Sequence, residues 1–248
     1  MLNYQRKGVG EVLVLVHGYL GGSEMWREQI DFFSKHFDVI APDLPGFGLS
    51  KDLIAPDSIA GFAQTVLDLL DALGINEFHL LGHSMGGMIV QEIAIEQSPR
   101  LESLICYGTG PMGVLTSRFE TVEQSRQRIL NDGLVDTAKG IAATWFVAGE
   151  KGRGFNTCLN LGGQASLQAA LACLTAWENW DARNRISSNT CRTLVLWGDK
   201  DRSYGWEQPE AIWKAVPSAS LAVVPNSAHN VHMEKPNFFN ELLLDFIR

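Results

Sequence analysis

The pentapeptide G-H-S-M-G at residues 82–86 constrains the fold of this chain more than any other feature. It follows the short apolar run 77–81, which is typical of a strand, and precedes segment 88–95, which is apolar on most sides like a buried helix. A serine at the apex of a tight strand-to-helix turn is strained, and the flanking glycines avoid a clash because they lack a Cβ. The pattern predicts that the Ser84 hydroxyl stands above the carboxyl edge of a sheet.

Strand-like and helix-like segments alternate along the rest of the chain. The strand-like runs are continuously apolar, which is typical of parallel strands buried on both faces of a sheet. The predicted strands are 12–16, 37–41, 77–81, 101–107, 193–197 and 221–224, and the predicted helices between them are 24–36, 58–73, 88–95 and 238–248. This alternation predicts the α/β class, with a doubly wound, mostly parallel sheet.

Residues 111–190 break the alternation, because no segment there has a convincing strand pattern. We predict helices at 118–130, 136–147 and 164–180, with a glycine-rich stretch separating the last two. A helical block between strands of such a sheet is interpreted as a cap over the strand ends where the serine is exposed. Residues 1–110 and 191–248 are then expected to form the core domain.

The composition limits the partners and the compartment. The net charge is −8 and no cluster of lysines or arginines breaks it, which argues against nucleic acid and anionic membranes as partners. No run approaches the roughly 20 apolar residues of a membrane span, and no apolar signal region follows the first residues, so we expect a cytoplasmic protein. The four cysteines lack metal-binding spacing and are expected to be buried thiols in a reducing compartment.

Three further segments accompany the pentapeptide. H-G-Y-L-G-G at residues 17–22 follows the first predicted strand, G-D-K-D at 198–201 follows a late strand, and S-A-H at 227–229 follows the last strand and precedes E-K-P. Together with the pentapeptide, these segments span residues 12 to 236 and resemble, in the same order, the motifs of the α/β-hydrolase fold superfamily. The resemblance is to its serine-nucleophile branch, in which serine, acid and histidine follow one another along the chain.

The resemblance implies a catalytic triad. Ser84 matches the nucleophile, Asp201 the acid and His229 the base that takes the serine proton. Asp199 is the alternative acid, although an aspartate so close to the strand is more typical of a residue that shapes its own loop. His232 is the alternative base, and its other interpretation is a residue packed against the last helix.

The resemblance also implies an oxyanion hole, which needs two N–H groups. Met85, directly after the nucleophile, matches one donor. Tyr19 in the 17–22 loop is our choice for the other, with Leu20 as the alternative. His17 is interpreted as a structural residue of this loop, and the ring of Tyr19 is also a candidate pocket wall.

Aromatic and basic residues of the predicted cap are candidates for binding the substrate. Trp145 and Trp177 are expected, with Tyr19, to contact it, and Phe146 and Trp180 share the same alternatives of apolar wall or cap core. Three arginines are candidates for a substrate carboxylate, although a solvated helix face is the favoured interpretation: Arg118, Arg126 and Arg128.

The reaction class is narrowed by residues that differ between branches of the superfamily. Dehalogenases and epoxide hydrolases carry aspartate at the elbow, so Ser84 argues against both. Carbon–carbon bond hydrolases of meta-cleavage products usually have asparagine before the serine and tryptophan after the histidine, where this chain has His83 and Met233. The segment 170–181 looks more like the cap of oxoadipate enol-lactone hydrolases and small carboxylesterases.

We therefore expect a cofactor-free and metal-free serine hydrolase that cleaves a small carboxylic ester or lactone through an acyl-enzyme. The open alternatives are a carbon–carbon bond hydrolase, a perhydrolase, a lyase and a triad-bearing ligand receptor. The expected partner is a small-molecule substrate. The sequence leaves the oligomeric state open between monomer and homodimer, and it does not name the substrate.

Overall fold

The computed structural model describes residues 1–114 and 120–248, without the side chain of Ser98. Seven strands in these ranges form one sheet in the order β1-β3-β2-β4-β5-β6-β7. The strands are β1 (Tyr4–Lys7), β2 (Val12–Val16), β3 (Asp38–Pro42), β4 (Phe78–His83), β5 (Leu101–Tyr107), β6 (Arg192–Gly198) and β7 (Ala219–Val224). All neighbours pair in parallel except β1, which pairs antiparallel with β3. The predicted doubly wound, mostly parallel sheet is confirmed.

Helices cover both faces of the sheet, as the alternation of segments predicts. The helices are α1 (Arg27–Phe33), α2 (Ile59–Ala72), α3 (Met85–Gln97), α4 (Val122–Thr144), α5 (Phe155–Gln164), α6 (Leu167–Glu178), α7 (Glu207–Ala215), α8 (Val231–Glu234) and α9 (Pro236–Ile247). Alternate residues of one strand enter different cores, because successive side chains of a strand point to opposite faces. Leu13 and Leu15 of β2 pack with α1 and α9, whereas Val14 and Val16 pack with α2 and α3. No helix in the described ranges is long and apolar enough to cross a membrane.

The segment between β5 and β6 is helical, as expected, although the helix bounds differ by a few residues from the predicted ones. The predictions 118–130 and 136–147 correspond to the two parts of α4, whose backbone breaks at Gly133 with φ 80°, and the prediction 164–180 corresponds to α6. Residues 118 and 119 lie outside the described residues. The glycine-rich stretch is not only a separator, because α5 runs through Gly162. A Cβ on Gly162 would lie 2.8 Å from the Cβ of Ala138 in α4, so this glycine allows two helices to pack closely. The division into core and cap domains stays a prediction.

The cysteines are buried free thiols, in agreement with the interpretation of their spacing. Burial raises the pKa of Cys158 to about 12 and that of Cys191 to about 11. Both thiols are therefore protonated at neutral pH and are poor nucleophiles.

Candidate active site

The strand-to-helix turn between β4 and α3 holds Ser84 at its apex. Ser84 has φ 58°, in the left-handed region that non-glycine residues rarely adopt. A Cβ on Gly82 would lie 2.2 Å from the Gly86 carbonyl oxygen, and a Cβ on Gly86 would lie 2.4 Å from the Val16 carbonyl oxygen. Both glycines are therefore required by close backbone contacts, which is the reason that the pentapeptide predicts the turn.

Two hydrogen bonds from the neighbouring strand hold the backbone of Ser84. Its N–H donates to the carbonyl oxygen of Tyr107 at 2.9 Å, and the hydroxyl of Thr109 donates to the Ser84 carbonyl oxygen at 2.8 Å. The strained conformation is thus fixed by β5 and the residues that follow it. The serine remains partly exposed while the residues on both sides of it are buried.

Asp201 and His229 form a buried pair at the same edge of the sheet. Asp201 Oδ2 lies 2.8 Å from His229 Nδ1, and the two side chains are 0% and 1% exposed. Asp201 Oδ1 accepts the N–H groups of Ser203 at 2.7 Å and Tyr204 at 3.2 Å. Because this carboxylate accepts from Nδ1, the proton of a neutral His229 sits on Nδ1 and leaves the lone pair on Nε2.

The alternative acid and the alternative base are held elsewhere. Asp199 accepts the Ser227 N–H at 3.3 Å and pairs with Lys200, which fits its interpretation as a residue that shapes the loop. His232 is fully buried, its Nδ1 lies 3.0 Å from the Tyr107 hydroxyl oxygen, and its ring packs on Phe239 of α9. Burial, with the charge of the neighbouring His229, lowers the pKa of His232 to about 3, so this ring is neutral at physiological pH.

Residues adjacent to Ser84 in the chain and in the sheet pack against the ring of His229. The ring of His83 lies 4.4 Å from the ring of His229, centroid to centroid, and a Cβ on Gly108 would lie 3.3 Å from the His229 ring. In the described part of the chain no hydrogen bond joins the Ser84 hydroxyl to His229. In enzymes that use this arrangement, such bonds tighten when substrate binds.

The 17–22 loop packs directly on the serine. Gly21 N–H donates to the Gly18 carbonyl oxygen at 3.2 Å and Leu20 has φ 54°, as in a type II turn with a strained residue at its third position. A Cβ on Gly18 would lie 2.8 Å from the Ser84 Cβ. The structure therefore brings the backbone before Tyr19 against the serine. The roles of the Tyr19 and Met85 N–H groups in an oxyanion hole stay a prediction.

Met85 opens helix α3 directly after the serine. The N–H groups of a first helical turn point out of the helix end, where the helix dipole favours negative charge. This is the geometry in which a backbone N–H can meet an oxygen that becomes negative beside Ser84.

His17 joins the loop to the end of β3, as its structural interpretation requires. Its Nε2 accepts the Leu44 N–H at 2.9 Å, so its Nδ1 carries the proton and donates to the Gly18 carbonyl oxygen at 2.7 Å. Burial lowers the pKa of His17 and keeps the ring neutral.

Aromatic side chains surround the His229 ring, and one of them escaped sequence reasoning. The ring centroid of Trp145 lies 6.1 Å from that of His229, and the ring of Tyr204 stacks on His229 with a centroid distance of 5.6 Å and an interplanar angle of 13°. The sequence contains a signal for the position of Tyr204 near Asp201, because an aspartate commonly accepts hydrogen bonds from the N–H groups that follow it and Tyr204 is three residues after Asp201. Its ring position could not be read from that spacing.

The predicted substrate-binding residues Tyr19, Trp145 and Trp177 all make contacts with other aromatic rings. The rings of Tyr19 and Trp177 meet edge to face at 4.8 Å, and the Tyr19 hydroxyl donates to the Ala170 carbonyl oxygen of α6 at 3.3 Å. Trp145 lies beside His229, with the two ring centroids 6.1 Å apart. The Trp180 indole instead donates to the buried Glu92 at 2.8 Å, so its polar edge anchors the helical segment to α3.

The candidate arginines are committed to other groups. Arg126 pairs with Glu123 at 2.7 Å and with Glu178 at 2.8 Å, while Arg128 pairs with Glu120 at 2.6 Å. Arg118 lies outside the described residues. Within the described ranges no three histidine, cysteine, aspartate or glutamate side chains lie close enough together to hold a metal ion.

Comparison with known proteins adds to this geometry. A family model described as the alpha/beta hydrolase family matches residues 13–242. A 2-hydroxy-6-oxo-6-phenylhexa-2,4-dienoate hydrolase of Comamonas testosteroni is 28% identical over all of this chain and 91% of its own length. A thermophilic esterase from Thermogutta terrifontis superposes with a TM-score of 0.90 at 25% identity, covering 100% of this chain and 93% of its own. An enol-lactonase from Burkholderia xenovorans LB400 shares the fold, with a TM-score of 0.91 at 22% identity and coverage of 99% and 96%.

Proposed function

Because this chain belongs to the alpha/beta hydrolase family, we propose that it is a serine hydrolase that cleaves small carboxylic esters or lactones through an acyl-enzyme. Ser84 is the nucleophile, His229 the general base and Asp201 the residue that orients the base. The observation that carries the proposal is the buried contact of 2.8 Å between Asp201 and His229 at the sheet edge where the strained turn presents Ser84.

Each step of the proposed reaction is assigned to a named group. Asp201 keeps the proton of His229 on Nδ1, so Nε2 is free to take the proton of the Ser84 hydroxyl as its oxygen attacks the carbonyl carbon. The carboxylate then stabilises the imidazolium. His229 returns the proton to the leaving alcohol, which breaks the ester bond and leaves the acyl group on Ser84. A water molecule, deprotonated by His229, then attacks the acyl carbon. His229 returns that proton to the Ser84 oxygen as its bond to the acyl group breaks, which releases the acid and restores the serine.

The Tyr19 and Met85 N–H groups hold the oxyanion of both tetrahedral intermediates in this proposal. In related reactions one such donor contributes about 10²–10³-fold to kcat. The strain at Leu20 and Ser84 supports the assignment, because residues in rare backbone conformations concentrate at sites where function requires them.

An uncharged acyl group is favoured by the ion pairs of the helical segment. Every arginine between residues 120 and 190 pairs with a carboxylate: Arg126, Arg128, Arg153, Arg183 and Arg185. A substrate carboxylate would have to displace one of these partners. Around His229 the described surroundings are instead aromatic, with Trp145 and Tyr204.

A second candidate is hydrolysis of a carbon–carbon bond. It is supported by the relative from Comamonas testosteroni, whose name states that it hydrolyses a dienoate and which aligns with the whole chain. His83 and Met233 argue against it, since they occupy the positions where that branch usually carries asparagine and tryptophan.

The proposal is tested with purified protein on a panel of short esters, lactones and a ring-cleavage dienoate. Ser84→Ala is expected to lower kcat on the best ester at least about 10³-fold, while the exposed Ser220→Ala variant retains wild-type rates. A fluorophosphonate should label Ser84 stoichiometrically, as read by peptide mass spectrometry. Ester hydrolysis that survives Ser84→Ala contradicts the proposal. Faster turnover of the dienoate than of any ester or lactone replaces it with the second candidate.

A further inference from the structure

Two side chains form hydrogen bonds with the backbone carbonyl oxygen of His229. The Tyr107 hydroxyl donates to it at 2.8 Å, and His83 Nε2 lies 3.2 Å from it. A carbonyl oxygen only accepts hydrogen bonds, so both side chains must donate. All three residues are essentially excluded from solvent, which makes each of these bonds costly to leave unmade.

Both donors are tied to the nucleophile. His83 precedes Ser84 in the chain, and the carbonyl oxygen of Tyr107 accepts the Ser84 N–H at 2.9 Å. One end of each residue is therefore fixed to the backbone of the serine, and the other end to the backbone of the base. The side chains of His83 and Tyr107 thus form two separate links between the backbone of Ser84 and the backbone of His229, and these two links are called braces below.

The hydrogen positions in this cluster follow from the acceptors. The single Tyr107 proton goes to the His229 carbonyl, so His232 Nδ1, 3.0 Å from the Tyr107 oxygen, carries its own proton and donates it. The His232 backbone N–H also donates to that oxygen, at 3.3 Å. Burial, with the charges of His229 and His232, lowers the pKa of His83 well below its usual value, so His83 holds one proton, which is on Nε2.

Close packing prevents these side chains from turning away. The Trp26 ring lies 4.6 Å from His232 and 6.2 Å from His83, centroid to centroid, and the ring of Tyr107 lies 4.6 Å from that of His83. Trp26 and Tyr107 are fully buried. A densely packed core leaves such rings a single arrangement, so the braces are stiff.

The neighbouring peptide groups of the His229 loop form hydrogen bonds with other parts of the chain. The Ala228 N–H donates to the Glu234 carboxylate at 2.6 Å, and the Asn230 N–H donates to the Trp145 carbonyl oxygen at 3.0 Å. Neither contact involves the serine turn. The bonds of His83 and Tyr107 to the His229 carbonyl, together with the bonds between Tyr107 and His232, thus link the loop of the base to the residues that hold the nucleophile.

We propose that His83 and Tyr107 are positioning residues, which set the distance and angle between His229 and the Ser84 hydroxyl by holding the His229 carbonyl. The inference rests on the proposed function, since it assigns how that triad is assembled. Asp201 fixes the rotation of the imidazole, whereas the two braces fix where its backbone stands. A displacement of about 1 Å between reacting groups can lower a rate about a hundredfold.

The test compares Tyr107→Phe, His83→Leu and His83→Gln with wild type on the best ester, and uses His79→Leu as the matched control. His79 is also a buried histidine of β4, but it contacts Ser103 and Glu11 rather than the loop of the base. We expect Tyr107→Phe and His83→Leu to lower kcat roughly 10- to 100-fold with KM within about twofold, and to slow fluorophosphonate labelling of Ser84 by a similar factor. Glutamine retains an N–H donor, so His83→Gln should recover most of the lost rate.

The outcomes separate this inference from the proposed function. Wild-type kcat in both Tyr107→Phe and His83→Leu, in an assay that Ser84→Ala abolishes, overturns the positioning role and leaves the triad intact. An equal loss in His79→Leu, or no recovery in His83→Gln, overturns it as well. If Tyr107→Phe does not fold, the comparison of His83→Leu with His83→Gln decides alone. Activity that survives Ser84→Ala refutes the proposed function itself.

Discussion

Asp201→Asn is the substitution whose effect follows most directly from the structure. The carboxylate is completely buried, and its Oδ1 accepts two backbone N–H groups that cannot move, those of Ser203 at 2.7 Å and Tyr204 at 3.2 Å. An asparagine at this position keeps both bonds only if its carbonyl oxygen takes the place of Oδ1. Its NH₂ group then faces His229 Nδ1, at the 2.8 Å position that Oδ2 occupies.

The replacement of an acceptor oxygen by a donor NH₂ group opposite Nδ1 moves the proton of the imidazole. Because the NH₂ group only donates, Nδ1 must accept, and the proton of a neutral His229 shifts to Nε2. A protonated Nε2 cannot take the proton of Ser84. We expect kcat on esters to fall about 10⁴-fold, the size of the effect when the acid of such a triad becomes an amide. The loss corresponds to about 5 kcal/mol of transition-state stabilisation.

The assay is steady-state hydrolysis of the best ester, with thermal unfolding measured on the same preparations. Asp199→Asn is the matched control, since Asp199 accepts the Ser227 N–H and contacts no imidazole in the described structure, so its kcat should stay within a few-fold of wild type. Asp201→Asn should remain folded because the hydrogen bonds to Ser203 and Tyr204 persist. The reasoning is refuted if Asp201→Asn keeps a tenth or more of the activity, or if Asp199→Asn shows the larger loss.

Two further predictions concern stability. Arg185 binds both oxygens of Glu92 at 2.8 Å, and Glu92 is buried and also accepts the Trp180 N–H. Although burial opposes it, the bonds from Arg185 and Trp180 lower the pKa of Glu92. Because the Arg185 side chain is 42% exposed, Arg185→Ala should reduce the free energy of unfolding by about 1–2 kcal/mol in urea at pH 7. The difference should be smaller below the usual value of 4.5, where the carboxylate takes a proton. Because the pKa of His232 is lowered, this residue takes up a proton below about pH 6.5 in the unfolded chain but only near pH 3 in the native protein. The contribution of the neutral His232 to the free energy of unfolding is therefore fully present above pH 6.5 and is lost progressively as the pH falls below it. His232→Leu should remove roughly 2 kcal/mol of the loss between pH 7 and pH 5, and an unchanged slope in urea titrations would contradict the assignment.

Local sterics made the central part of the fold predictable. The turn at Ser84 needs small residues on both sides because backbone oxygens lie where a Cβ would be, and this requirement is visible in five consecutive residues. Strand β5 was predicted with the observed bounds, since a short, mostly apolar segment is most stable when it is buried as a strand of a parallel sheet. Helix α2 was predicted nearly as well, because Ser58 caps its first turn and Gly74 follows its last.

The missed elements lacked such a pattern. Strand β1 is polar and lies at the edge of the sheet, so its half-exposed side chains carry no apolar run. Helix α5 contains glycines that usually interrupt helices, and only its contact with α4 explains them. Tyr107 closes a well-predicted strand, but its hydroxyl bonds a residue 122 positions away, which no local pattern reports.

The sequence by itself determined the class of fold and the strained serine, because turn sterics and hydrophobic periodicity act between neighbouring residues. The candidate acid and base came instead from the resemblance of segments 198–201 and 227–229 to the motifs of a known superfamily. Only the tertiary structure decided which carboxylate meets which histidine. Asp201 reaches His229 and Asp199 does not, although they are two residues apart, because the loop after β6 turns one carboxylate inward and leaves the other on a backbone N–H. The braces from His83 and Tyr107 likewise exist only after β4, β5 and the His229 loop are packed together, since hydrogen bonds between distant segments depend on their relative positions in space.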